Sequence, residues 1–312
     1  ATNIPLGVYV KGDNINVSST SSVTTVGENS VGVYLDGKST LGTNLENFTG
    51  MYNLSSANNR LGVGAYLKGG AEAKAGTLTM KSTASQGTGT AVVIRPIGLL
   101  YAKNTDSTGL ANGIDLIIDA GSQEMIGLYA EEVTKLLNTG NITVNSSSIG
   151  GYFKETQLEN RGNVTVNGNS GYGLYISSNG GTVIKSENYG QLNANSAGSA
   201  ALIVTDKAEV SNMKDGLNTG TINSNSVNGS IGVYVTNQGK FINDTGAEIN
   251  STQAKSGVNP GSIGIIVKNG TVENKSTITS ENIGIYGATG LGATEITHTG
   301  ILNINSGTGI YL

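Results

Sequence analysis

The chain has 312 residues, of which 47 are Gly, 3 are Pro and none is Cys or Trp. Its net charge of −4 offers no basic surface for nucleic acid or an anionic membrane. The lack of Cys excludes disulfides, thiol catalysis and Cys-ligated metals, and no apolar run is long enough to span a membrane.

From its first copy at Leu6–Val10, the sequence repeats a five-residue phrase: apolar, Gly, apolar, Tyr, apolar. Alternation with a period of two and many β-branched residues predict a strand, and recurrence from end to end predicts a repeat array. Three copies carry Leu100, Ile203 and Ile266 at the fourth position. That position otherwise holds nine of the thirteen tyrosines, which are Tyr9, Tyr34, Tyr66, Tyr129, Tyr152, Tyr175, Tyr234, Tyr286 and Tyr311.

Strict alternation predicts that positions one, three and five of the phrase face the core, and that Gly and Tyr face outward. We interpret Asn112–Leu116 as a deviant copy in which Asp115 replaces Tyr. Because a carboxylate is rarely buried unpaired, the Tyr position is predicted to be exposed. The tyrosines would then form a column that either binds a partner, since Tyr gives contact area at low entropic cost, or only stabilises the sheet by stacking.

The stretch 69–121 is the least regular part of the chain. Insertions into a repeat usually emerge as loops on one face, where specific functions are added, so we predict protruding loops here. Ordinary longer turns are the alternative. The steps from Gly98 to Gly113 and from Gly113 to Gly127 are too short for full coils, which predicts an extra strand at Gly113.

A second phrase, Asn-x-Gly-x-apolar-x-apolar-Asn, follows most copies, as at 138–145 and 160–167, and continues at Asn188, Asn218 and Asn243. Asn-x-Gly tolerates left-handed backbone angles and therefore marks a corner before another inward-facing strand. Two strands and two or three corners in about 25 residues predict an all-β, parallel β-helix of about twelve coils. Its winding is predicted to be right-handed. Asn side chains at equivalent corners are predicted to stack into amide ladders.

Some parallel β-helices are polysaccharide lyases or hydrolases, whose sites need clustered carboxylates. Arg95, Asp115, Asp119 and Glu124 are the candidates here, with surface charges on a polar solenoid as the alternative. The single histidine, His298, stands where the corner phrase has Asn. Since no catalytic or phosphate-binding motif is present, we predict no catalytic residue, no cofactor and no metal site.

The repeat phrase at 231–235 and the corner phrase at 241–246 resemble the passenger domains of bacterial type V autotransporters, especially large fusobacterial adhesins of the RadD type. The resemblance implies a virulence-associated adhesin, secreted or displayed at the cell surface, that attaches to protein or glycan receptors on host cells or other bacteria. Its only membrane contact would be a C-terminal outer-membrane barrel outside this sequence.

The start at Ala1-Thr2-Asn3-Ile4 lacks signal-peptide features and Leu312 ends in mid-repeat, so residues 1–312 are expected to be one β-helical segment of a longer protein. In that reading the segment is a rigid spacer that also mediates attachment. The alternatives are a lyase or hydrolase of the pectate-lyase or tailspike type, and a purely structural stalk.

Overall fold

The computed structural model describes residues 6–17, 24–25, 31–42, 49–53, 62–81, 97–106, 109–119, 124–288, 290 and 292–312. Over these residues the chain winds as a β-solenoid whose strands pair in parallel within three sheets. The predicted all-β parallel solenoid is therefore confirmed. The predicted right-handed winding stays a prediction.

Sheet A contains the five-residue phrases, and its strands in the described ranges are Leu6–Lys11, Val31–Asp36, Val63–Lys68, Ile97–Tyr101, Ile126–Glu131, Ile149–Lys154, Tyr172–Ser177, Ala200–Thr205, Ile231–Thr236, Ile263–Lys268, Ile283–Gly287 and Thr308–Tyr311. We number the coils 1 to 12 from these strands. Sheet B follows in each coil with Asn16–Val17, Thr40–Leu41, Glu72–Ala73, Leu110–Asn112, Leu136–Asn138, Leu158–Asn160, Lys185–Asn188, Glu209–Asn212, Lys240–Asn243, Thr271–Asn274 and Glu295–His298.

Sheet C completes the coils with Thr24–Thr25, Thr49–Asn53, Thr77–Lys81, Asp115–Asp119, Ile142–Val144, Val164–Val166, Gln191–Ala194, Thr221–Ser224, Glu248–Ser251, Thr277–Ser280 and Ile301–Ile304. The described strands thus fall into eleven coils with one strand in each sheet, followed by the first strand of a twelfth, which is slightly fewer coils than expected. Each complete coil has three strands, so the predicted two were wrong. Strands of sheet B such as Leu158–Asn160 are too short to show a period: a buried Leu and a buried Asn flank one half-buried residue.

The phrase in sheet A does not alternate strictly. Ile126, at position one, belongs to an outer apolar cluster that includes Tyr129. A Cβ atom on Gly127, at position two, would lie 2.7 Å from Cδ1 of Ile118 in the core. The predicted inward direction of position one and outward direction of Gly were therefore wrong, whereas positions three, four and five lie as predicted. Two consecutive inward residues are possible because the first has no side chain.

An amide ladder runs through the corner between sheets B and C. Each side-chain Nδ2 donates to the next residue of the ladder at 2.7–3.2 Å, through Asn112, Asn138, Asn160, Asn188, Asn212, Asn243, Asn274 and finally Nδ1 of His298. All seven Asn residues are buried. The predicted ladder and the corner position of His298 are confirmed.

Two alignments made from the sequence were wrong. Asn218 is not in the ladder, because its place is taken by Asn212 and the residues between them form an inserted loop. Gly113 is not in an extra strand either: it follows the ladder residue Asn112, and Asp115 begins the strand of coil 4 in sheet C. The prediction that the Tyr position is exposed was thus correct, although it was drawn from Asn112–Leu116, which is not a copy of the phrase.

The predicted loops of 69–121 fall only partly within the described residues. Segments 82–96, 107–108 and 120–123 lie outside them. The rest keeps the solenoid register, since Ile97–Tyr101 pairs with sheet A strands on both sides. The connection after it, 102–109, is eight residues long, whereas the matching connection in coil 5, 132–135, has four.

Candidate functional site

All nine predicted tyrosines lie in one register column of sheet A. Consecutive members are Cα partners across coils, and the gaps in the column are Leu100, Ile203 and Ile266, as predicted. The partners run through Tyr9, Tyr34, Tyr66, Leu100, Tyr129, Tyr152, Tyr175, Ile203, Tyr234, Ile266, Tyr286 and Tyr311. The sequence therefore placed these residues on one outer face correctly.

The rings contact one another in groups. Tyr34 and Tyr66 stack with centroids 4.9 Å apart and planes within 2°. Tyr152 meets its two neighbours edge to face, at 5.4 Å from Tyr129 and 4.9 Å from Tyr175. Both arrangements are favourable for aromatic pairs. The column therefore stabilises the sheet, while its half-buried members remain partly exposed to solvent.

Position one of the phrase widens this face. Ile97, Ile126 and Ile149 form an apolar cluster on the outside of sheet A, against which Leu100, Tyr129, Tyr152, Tyr172 and Tyr175 pack. The sequence analysis missed this half of the surface because it assigned position one to the core. The result is an amphipathic strip two side chains wide over coils 4 to 7, which we call the aromatic strip.

Electrostatics keep the phenols of the strip neutral at physiological pH. Burial raises the pKa of Tyr129, Tyr152 and Tyr175 above the ordinary tyrosine value. The Tyr129 hydroxyl also donates to Glu131 at 2.8 Å, which raises its pKa further. A hydrogen bond of 2.7 Å from Lys154 lowers the pKa of Glu131, so an ion pair borders the strip.

Two of the carboxylates proposed from the sequence as an enzyme site, Asp115 and Asp119, do not form a close pair. Asp115 and Asp119 are four residues apart in one strand, which separates their Cα atoms by roughly 13 Å, more than the 5–10 Å of paired catalytic carboxylates. Asp115 instead accepts hydrogen bonds from the backbone N–H and side-chain amide of Asn141, at 2.7 and 3.1 Å. Arg95 lies outside the described residues. Within the described ranges, no three His, Asp or Glu residues form a group that could hold a metal ion.

Two protruding loops escaped the sequence analysis. Residues 213–219 connect sheets B and C in coil 8, and 252–262 connect sheet C of coil 9 to sheet A of coil 10. Each contains an antiparallel bridge, and their tips carry Leu217 and Val258, which are 96% and 99% exposed. The spacing from Asn212 to Gly220, longer than in other corner phrases, was the signal that could have revealed the first loop.

The first loop is held by a long-range ion pair. Arg161 Nη1 lies 2.6 Å from Oδ2 of Asp215, and its Nε lies 2.6 Å from Glu159. The guanidinium also stacks 4.4 Å above the ring of Tyr189. Arg161 and two backbone N–H groups of the loop lower the pKa of Asp215 to about 2. The carboxylate therefore fixes both its own turn and the docking of the loop.

Comparisons of the chain with protein-family models, with curated proteins and with solved structures find no match. No helix in the described part of the chain is long and apolar enough to cross a membrane.

Proposed function

We propose that this chain is a segment of a bacterial surface adhesin of the autotransporter type, which acts as a rigid spacer and attaches to cells through exposed side chains of its solenoid. The observation that carries the proposal is the tyrosine column of sheet A. It places amphipathic rings, among the residues most favoured at recognition surfaces, on one face in nine of the twelve sheet A strands of the described chain.

The internal ladders support the spacer role. Buried Asn side chains link each coil to the next from coil 4 to coil 10, and His298 continues the link in coil 11. Hydrogen bonds between buried polar groups rigidify a structure when they are satisfied. Such a stack needs no disulfide, in keeping with the absence of Cys.

Attachment is tested with beads that carry the purified chain and are incubated with epithelial cells or with partner bacteria. We expect the wild type to attach and the variant Tyr129→Thr/Tyr152→Thr/Tyr175→Thr to lose most attachment, because it removes the rings from the aromatic strip. Thr keeps the preference for strand conformation. The control Gly127→Ala retains every ring but destabilises the same sheet, and it should attach whenever it is folded.

The outcomes separate the alternatives. Wild-type beads that do not attach would contradict the proposal and leave a structural stalk. Attachment that survives in the triple variant would contradict the role of the strip. Release of reducing sugar ends from pectin or bacterial polysaccharide would instead indicate a lyase or hydrolase.

A further inference from the structure

A groove of about 410 Å³ crosses the outer face of sheet B in coils 1 to 4. Its floor includes Asn16, Thr40 and Glu72, which lie on successive two-residue strands, and one wall includes Asn104 and Asp106. The wall exists because the connection after Ile97–Tyr101 is longer than that of the next coil. The volume is within the range of small-molecule sites, roughly 300–1,000 Å³.

Among the described residues, the lining of the groove is polar and electrically balanced. Two ion pairs line it, Lys38–Asp106 at 3.5 Å and Lys74–Glu72 at 2.9 Å, so the two positive charges match two negative charges. The remaining lining side chains are mostly amides and hydroxyls, and the single large apolar side chain is Leu110. Such a lining favours neither an apolar ligand nor a polyanion. It suits a neutral molecule rich in hydroxyls, because a hydroxyl both donates and accepts hydrogen bonds, as the amides do.

One buried donor in the groove wall has no acceptor among the residues that the structure describes. The Nδ2 atom of Asn104 is buried and makes no hydrogen bond, although Oδ1 of the same side chain accepts the backbone N–H of Asp106 at 2.8 Å. That bond fixes the orientation of the amide, because a flipped side chain would point its NH₂ group at the backbone N–H of Asp106, and two donors cannot pair. Unpaired buried donors are rare in proteins. Because the Nδ2 atom is shielded from solvent, a ligand oxygen can supply the missing acceptor only after a small shift of the Asn104 side chain toward the groove.

We infer that this groove binds a neutral oligosaccharide. The inference rests on the proposed adhesive function for its biological role and names the receptor class as a glycan. None of the described residues that line the groove carries an aromatic ring. A single site is therefore expected to bind with a dissociation constant of about 1 mM. Many copies of the chain on one cell would raise the effective affinity.

The test is saturation-transfer NMR on the purified chain. The probes are maltose, cellobiose, lactose and N-acetyllactosamine as neutral sugars, and sialyllactose as an acidic one. At least one neutral disaccharide should receive saturation, with little change in 0.5 M NaCl. Failure of all four neutral sugars, or binding of sialyllactose alone and only at low salt, overturns the inference.

Two variants locate the site. Asn104→Asp keeps the acceptor for Asp106 N–H but removes the unpaired donor, and it should weaken binding about tenfold. Its matched control is Asn163→Asp, just before the sheet C strand Val164–Val166, where Oδ1 likewise accepts a backbone N–H, from Gln191 at 3.3 Å. Asn16→Trp fills the groove and should abolish binding, whereas Thr143→Trp on the outer face of sheet C should not. Binding that survives both groove variants, with unchanged melting temperatures, contradicts the assignment.

Cell attachment of Asn16→Trp distinguishes this inference from the proposed function. Loss of both sugar binding and attachment supports the two together. Loss of sugar binding with attachment intact keeps the groove as a sugar site and assigns attachment to the aromatic strip. Attachment by a wild-type chain that binds no neutral sugar overturns the groove inference and leaves the adhesive function standing.

Discussion

The buried side-chain amide of Asn160 donates a hydrogen bond of 2.8 Å to Oδ1 of Asn188, one coil further along the solenoid. The same Nδ2 donates to the backbone carbonyl of Gly162 at 2.9 Å, and Asn138 donates to Oδ1 of Asn160 at 2.8 Å. One side chain therefore joins three coils and closes its own corner. This arrangement makes the ladder a sensitive point of the fold.

Asn160→Leu is expected to destabilise the chain by roughly 2–4 kcal/mol, because it leaves the buried groups on Asn138, Gly162 and Asn188 with fewer partners. Asn167→Ala is the control, since Asn167 belongs to an exposed ladder with bonds of 3.1 and 3.0 Å and should cost less than about 1 kcal/mol. Guanidinium unfolding followed by circular dichroism measures both. Equal losses would show that burial of the ladder is unimportant.

Gly127→Ala is expected to cost about 1–3 kcal/mol, as other overpacked cores do. A Cβ atom there would lie 2.6 Å from the carbonyl oxygen of Gly150 and 2.7 Å from Cδ1 of Ile118. Gly181→Ala is the control, because nothing lies within 4 Å of its Cβ position. Thermal unfolding compares the two variants. An unchanged melting temperature for Gly127→Ala would contradict the inward direction of the Gly position of the phrase.

Sheet A contains one natural exception to Gly at position two of the phrase. Ala201 occupies this position in coil 8, as the pairing of its neighbours Ala200 and Leu202 shows. Its side chain is fully buried and belongs to the core cluster, as the inward direction of position two requires.

Arg161→Ala is expected to release the loop 213–219, because it removes the ion pair to Asp215. Cleavage by thermolysin next to Leu217 should accelerate at least fivefold, while global stability changes by less than about 1 kcal/mol, as for other surface ion pairs. Lys135→Ala is the matched control, because Lys135 pairs with Glu159 but not with Asp215. Cleavage that is equally slow in wild type and Arg161→Ala would contradict the role of this contact.

Acid is expected to weaken the fold in a defined pH range. Hydrogen bonds from Lys154, Lys135 and Lys240 lower the pKa of Glu131, Glu159 and Glu273, and Arg161 lowers that of Asp215 to about 2. A lowered pKa in the folded state means that the stabilisation is complete above the ordinary carboxyl pKa, near 4. It is lost as pH falls through the lowered values. The guanidinium midpoint should therefore fall steadily from pH 4 to pH 2, and a constant midpoint would contradict these assignments.

High pH is also expected to weaken the fold, in this case through the tyrosines. Because burial raises the pKa of Tyr34, Tyr129, Tyr152 and Tyr175, the folded chain holds their protons more tightly than the unfolded chain. Their contribution to stability is complete below the ordinary tyrosine pKa of about 10 and falls as pH rises above it. Tyrosinate absorbance at 295 nm should rise at higher pH in the folded than in the unfolded chain. Coincident titration curves would contradict this.

Repetition alone was enough to predict the parallel solenoid, the tyrosine column and the Asn ladder. A residue type that returns at every coil must return at the same place in the stack, so its register follows from the sequence. His298 shows how far this reasoning extends: the sequence predicted that it replaces Asn at a corner, and in the structure it accepts the last hydrogen bond of the ladder, from Asn274.

Only the tertiary structure decided the features that depend on backbone geometry or on distant contacts. Gly127 faces the core and Ile126 faces outward because the alternation of the strand breaks locally, and the residue types alone do not reveal this break. The ion pair between Arg161 and Asp215 joins residues 54 positions apart. The groove beside Asn104 likewise exists because a long connection stands next to two-residue strands. Periodicity fixes which residues stack, whereas the path of the backbone between them determines which surfaces they enclose.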